Sequence, residues 1–108
     1  MRCVYCHLDG SADIRIWRQL DIDHLIPKAR GGDPDDHGNK VVSCTRCNLL
    51  KRDHPIGKGF SLPENAAHRH ALIVEARLHI QEVGRRHDEE EDYHLMLDAI
   101  LQKARGDV

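Results

Sequence analysis

The chain has 108 residues, 31% of them charged and only 4% aromatic, with a formal net charge of −2. This length suits one domain, or one small domain with an appendage. One Phe and one Trp are too few large side chains for packing alone to hold a core, and the near-neutral charge excludes nucleic-acid binding by bulk electrostatics. The halves differ: residues 1–60 hold ten Lys/Arg against eight Asp/Glu, and residues 61–108 hold six against ten. No signal peptide and no membrane span is read, so a cytoplasmic location is expected, where disulfides are rare.

The first element in chain order is Cys3-x-x-Cys6, answered at the far end of the first half by Cys44-x-x-Cys47. Four thiolates at this spacing suit one tetrahedral Zn²⁺, two from each pair, and a zinc ion there would pin both ends of the enclosed segment. Structural zinc contributes roughly 10–16 kcal/mol of folding free energy, against a typical net domain stability of about 5–15 kcal/mol. The metal is therefore expected to compensate for the thin core.

Between the cysteine pairs, Ile14 and Ile16 alternate with Asp13, Arg15 and Trp17, and Leu20 and Ile22 with Asp21 and Asp23. This pattern predicts strands over 13–18 and 20–24. Pro27 and Gly31-Gly32 force a loop, and the polar stretch to Asn39 is turn-forming. Val41-Val42 predicts a strand returning to pair with the first ones, and Thr45 to about Arg52 a short helix starting at the second cysteine pair. The composition changes near Gly57-Lys58-Gly59-Phe60. The predicted organisation is α+β: a zinc-stapled unit over 1–58, followed by a helical extension over 59–108. In the extension, Ser61-Leu62-Pro63-Glu64 predicts a capping box. Apolar residues at 67, 71, 74 and 78, with 72 and 83 on a shoulder, predict the buried face of a helix that Gly84 ends. Asp88 with Glu91 predicts a second start, Tyr93, Met96, Leu97, Ile100 and Leu101 an apolar stripe, and Gly106 the exit.

Asp23-His24 carries the chemical promise. A neutral imidazole takes a proton from water near neutral pH, and a carboxylate is a hard ligand for Mg²⁺ or Mn²⁺. Adjacent strand residues face opposite sides, so both serve one centre only where the strand bends, as Pro27 allows. Asn39 lies where a returning turn brings its amide beside the His24 backbone or ring. The Asn48 side-chain oxygen is a candidate second ligand opposite Asp23. Lys51, one helical turn on, is placed to hold a phosphate, with Arg46 and Arg52 as further phosphate contacts. His7, His37 and His54 are weaker candidates for zinc, phosphate and DNA or metal respectively.

The set Cys3-x-x-Cys6, Ile22-Asp23-His24-x-Ile26-Pro27, Gly31-Gly32, Asn39, Val41-Val42-x-Cys44-x-x-Cys47-Asn48 and Lys51 resembles the HNH endonucleases, the ββα-metal or His-Me finger family. The resemblance covers about residues 1–55. It implies metal-dependent phosphodiester hydrolysis that leaves 5′-phosphate and 3′-hydroxyl ends. His24 matches the general base, Asp23 and Asn48 the ligands of the catalytic ion, and Asn39 the residue that orients the base. Asn48 in place of the family's last His looks like the H-N-N variant, which favours Mg²⁺ or Mn²⁺ over softer ions. Double-stranded DNA is the expected substrate, bound weakly and in a salt-sensitive way. A non-catalytic zinc-stabilised binding module stays open as an alternative. So do a homodimer and a nuclease subunit of a larger phage or defence assembly, with contacts through 61–108.

Overall fold

The computed structural model describes residues 1–11, 13–89 and 91–106, and of 87–89 and 91–94 the backbone alone. Strand β1 (Leu20–His24) pairs antiparallel with β2 (Lys40–Cys44), from Leu20 opposite Cys44 to His24 opposite Lys40. Residues 25–39 connect them through two short 3-10 turns, Lys28–Arg30 and His37–Asn39. At position 32 a Cβ would overlap the Ile26 carbonyl, so only glycine lets the loop close on itself there. Helix α2 (Thr45–Lys51) follows β2 without a break. Its N-cap is Cys44, whose Sγ accepts from the Cys47 amide at 3.4 Å, so one residue serves both the helix start and the sulfur cluster. The N-terminal segment joins the same sheet region, with Val4 N donating to Val42 O at 2.8 Å.

The α+β architecture matches expectation, and three local predictions do not. Residues Ile14–Trp17 form a one-turn helix, α1, in place of the strand predicted over 13–18. Asp13 caps it by accepting from the Arg15 amide at 2.7 Å and pairs with the Arg15 guanidinium. No residue of α1 is buried, so the alternation at 13–18 had no sheet face to fill. A period of two over six residues cannot separate strand from a single capped turn.

The long helix α3 (Ala66–Glu89) starts later and ends later than predicted. Its start is capped by Asn65, whose Oδ1 accepts from the His68 amide at 2.8 Å, and not by the Ser61–Glu64 box. Gly84 does not end it. That residue is buried, and a Cβ there would lie 3.3 Å from Leu50 Cδ1 and 3.4 Å from Arg46 Nη2. The glycine lets α2 lie close to α3, and the chain stays helical through it.

The buried face of α3 is rotated from the predicted one, and of the predicted residues Leu72 is the one that is buried. Leu72, Ile73, Ala76 and Ile80 are buried, while Ala67, Ala71 and Leu78 are exposed. The inner face includes two arginines. Arg77 donates to the carbonyls of Val4 (2.8 Å) and Tyr5 (3.0 Å), and Arg69 to those of Gly38 (3.2 Å) and Lys40 (3.1 Å). An apolar count passes over such a face, because long guanidinium side chains bury their stems and spend their heads on backbone acceptors. One hydrophobic cluster thus runs from Cys3, Tyr5, Leu25, Ile26 and Val41 through Ile56 to α3, with Arg forks at either end.

Helix α4 (Glu91–Ala104) follows after residue 90, and Gly106 takes a positive φ at its exit. Leu95, Met96, Ile100 and Leu101 are more than half exposed. The predicted Asp88–Glu91 cap and Tyr93 lie outside the described side chains. Among the described residues no helix is long and apolar enough to cross a membrane.

Beyond α2, the rings of His54 and His79 stack with centroids 3.5 Å apart and planes 10° from parallel. Burial holds His79 below its ordinary value of 6.5, helped by His54, Arg86 and Lys51. A histidine depressed on folding binds its proton better in the unfolded chain. The stability it contributes is therefore present above about pH 6.5 and is lost as pH falls below that. A His79→Phe variant, which keeps a ring on His54, should lose less thermal stability than the parent between pH 7 and pH 5, measured by melting curves across that range. Arg77→Met should cost about 1–3 kcal/mol in denaturant unfolding, because two carbonyls of the first cysteine knuckle lose their donors.

Candidate active site and metal centre

The four cysteine sulfurs all lie within 4.8 Å of one another, which places them to hold one metal ion. Cys3, Cys44 and Cys47 are buried, and Cys6 is exposed. The first knuckle turns because His7 N donates to Cys3 O at 2.9 Å and His7 takes a φ of 65°. The second knuckle is the N-cap of α2. Cys3 is held down to about 4 by a hydrogen bond from the Cys47 thiol, against burial and with the help of backbone amides. Cys47 is pushed far up by the same bond and by burial, and burial raises Cys6. Opposite shifts of this kind are expected where buried thiols crowd together within hydrogen-bond reach.

Across the first strand, Asp23 and His24 face different partners. Asp23 Oδ2 accepts from the Tyr5 hydroxyl at 2.8 Å and pairs with Lys51 Nζ at 3.1 Å. Burial, followed by the Asp23 charge, holds the Tyr5 phenol above its ordinary range, so it stays a donor. Lys51 is 1% exposed and also donates to the His24 carbonyl at 3.0 Å. It therefore lies beneath the Asp-His pair, with its ammonium already engaged, rather than facing outward as a phosphate holder would.

The His24 ring rests on the loop. Its Nε2 is 3.1 Å from the Pro34 carbonyl, which can only accept. The proton is accordingly assigned to Nε2, and Nδ1 keeps its lone pair. Asn39 is fully buried and spans the loop that carries Pro34. Its Oδ1 accepts from Ile26 N at 2.8 Å, and its Nδ2 donates to Ile26 O and Asp33 O, both at 3.0 Å. Its carbonyl accepts from Leu25 N at 2.8 Å. Asn39 thus binds the backbone after His24 and the backbone before Pro34, and not the ring.

Asn48 presents a different feature. Its Oδ1 is buried and has no hydrogen-bond partner among the described residues. Such atoms are uncommon and costly, and a hard cation is one kind of ligand that would satisfy an amide oxygen. Asn48 stands one turn before Lys51 on α2, whose ammonium touches both Asp23 and His24.

The remaining predicted residues lie elsewhere. Arg52 takes a φ of 47° and folds its guanidinium back onto Leu49 O at 3.1 Å. Arg46 lines a cavity of about 430 Å³ between the second knuckle and α3, with Cys6, Leu50, Ile80 and Gly84. His54 stacks on His79, and His7 and His37 are exposed. Two contributors were not foreseen. Tyr5 sits inside the first cysteine pair, a position that could have drawn attention. Pro34 acts through its carbonyl, for which a side-chain pattern carries no signal.

A β-hairpin running directly into a helix, stapled by four cysteines, with an Asp-His pair on its first strand and an amide oxygen on its helix, defines a small metal-finger class of protein. Residues 3–54 match the family model for HNH endonuclease. The finger belongs to the HNH endonuclease family, and nuclease-type chemistry is what that membership implies. No curated protein and no solved structure gives a significant match to the chain.

Asn39→Ala should leave Ile26 N, Ile26 O and Asp33 O without partners and release the loop under His24. Each buried group left unpaired costs about 1–3 kcal/mol. Amide exchange over residues 25–34 should accelerate far more than exchange across β1 and β2.

Proposed function

We propose that this protein is a metal-dependent HNH endonuclease that hydrolyses phosphodiester bonds of DNA, leaving 5′-phosphate and 3′-hydroxyl ends. The observation that carries the reading is the buried, unpartnered Oδ1 of Asn48, on the helix whose Lys51 touches both Asp23 and His24. Asp23 and Asn48 would hold one Mg²⁺ or Mn²⁺, the oxygen-donor set of the H-N-N variant, and the four thiolates a structural Zn²⁺. When bound, the hard cation supplies charge neutralisation at the scissile phosphate. His24 accepts a proton from water at Nδ1, and the Pro34 carbonyl stabilises the imidazolium at Nε2. Asn39 keeps that carbonyl in place by bonding the preceding residue. Lys51 offsets the carboxylate charge and fixes the His24 backbone, a role the buried ammonium fits better than direct phosphate binding.

Arg46 and Arg52, both exposed, with Lys28, Arg30 and Lys58, are the cations proposed to meet the DNA backbone. With few phosphate contacts, affinity is weak at physiological salt and falls further as salt rises. A second reading, a nuclease subunit of a larger phage or defence assembly, draws support from the exposed apolar residues of α4.

Supercoiled plasmid incubated with Mg²⁺ or Mn²⁺ should be nicked, and a chelator should stop the reaction. His24→Ala should lower the rate by about 10²–10⁴-fold while the metal content at the cysteines is unchanged. A variant that cuts at the parental rate would remove His24 from the mechanism. A parent protein that never cuts would favour the non-catalytic binding module.

A further inference from the structure

The cysteine knuckle and the hydrolytic residues meet at one atom. Tyr5 lies between Cys3 and Cys6 and is 2% exposed. Its backbone is fixed from two sides. Arg77 on α3 donates to the Tyr5 carbonyl at 3.0 Å, and the preceding residue is tied to β2 through Val42 at 2.8 Å. The ring has little freedom, and its hydroxyl ends on Asp23 Oδ2 at 2.8 Å. Lys51, on the helix that begins at the second knuckle, takes the same oxygen at 3.1 Å. Two buried donors on elements anchored by opposite cysteine pairs thus converge on one carboxylate oxygen. The other, Oδ1, carries no hydrogen bond among the described residues, and the Asp23 side chain keeps 17% of its surface open.

We propose that Tyr5 is a positioning residue for the hydrolytic cation: it pins Oδ2 of Asp23, against Lys51, so that Oδ1 alone is presented to the divalent ion. The inference rests on the nuclease reading above and deepens it. The cysteine knuckle then both staples the fold and sets the orientation of a ligand at the second metal position. Fixing one carboxylate oxygen removes the bidentate and rotated alternatives that the side chain would otherwise sample. Partners of this kind, one bond removed from a metal, are typically worth about 10–100-fold in affinity.

Tyr5→Phe removes one oxygen and keeps the ring, and Lys51 still satisfies Oδ2. The full chain, loaded at its cysteines, would be titrated with Mn²⁺ and free Mn²⁺ followed by electron paramagnetic resonance. Metal content at the cysteines and the melting midpoint serve as fold controls. The Mn²⁺ dissociation constant should rise about tenfold or more in the variant. In plasmid nicking, the Mn²⁺ concentration for half-maximal rate should rise in step while the rate at saturating Mn²⁺ stays close to parental, a split that general destabilisation would not produce. Equal Mn²⁺ affinity in parent and variant overturns the positioning role and leaves the nuclease reading intact. A parent that binds no Mn²⁺ overturns both.

A second measurement needs no variant. In the parent protein labelled with ¹³C at the tyrosine ring, saturating Mg²⁺ should shift the Tyr5 signal, because the carboxylate that accepts its proton becomes a ligand. A Tyr5 resonance unmoved by Mg²⁺ counts against the role, whatever Tyr5→Phe does to folding.

Discussion

Convergence of four sulfurs within 4.8 Å is the constraint on which the rest of this small fold depends. It joins residues 3 and 6 to residues 44 and 47 and so closes a loop of about forty residues that has few large apolar side chains of its own. Closing the loop also brings β2 beside the N-terminal segment and starts α2, since Cys44 is at once ligand candidate, strand end and helix cap.

Packing around that staple is largely polar in its precision. Arg77 and Arg69 fasten α3 to the backbone of the first knuckle and of the approach to β2. Asn39 fastens the connecting loop to itself, and Lys51 fastens α2 to β1. Each uses a side chain with several donors to satisfy carbonyls that the short strands leave unpaired, which is how buried backbone groups must be accounted for in a domain with a two-stranded sheet. Apolar residues from both sides of position 58 share one cluster, so α3 is part of what holds the finger in shape.

The same contacts order the candidate chemistry. His24 is oriented through a carbonyl that Asn39 places, and Asp23 through an oxygen that Tyr5 and Lys51 share. Asn48 is the exception, with its oxygen buried and unpaired. Among the described residues it is the one buried side-chain oxygen left unpaired, in a site whose other groups are held in place by their neighbours.

Much of the fold was legible in the order of residues because the signals are local. Cysteine spacing, Pro27 and Gly31-Gly32, the β-branched pair Val41-Val42 and the helix at the second knuckle all express short-range geometry, and β1, β2 and α2 appear where they were expected. The family resemblance was legible for the same reason. What failed was decided at a distance. The pattern at 13–18 had no sheet partner, and a capped turn took it. Gly84 reads as a helix stop in one dimension and as a helix contact in three. The buried face of α3 follows its arginines because their acceptors lie on other elements. Lys51 is one turn from Asn48 in any helix, but only the closeness of β1 turns its ammonium inward onto Asp23. Residue order alone determined which groups the protein has for metal and proton chemistry; the tertiary fold decided which of them meet, since hydrogen bonds and burial depend on neighbours that sequence spacing does not bring together.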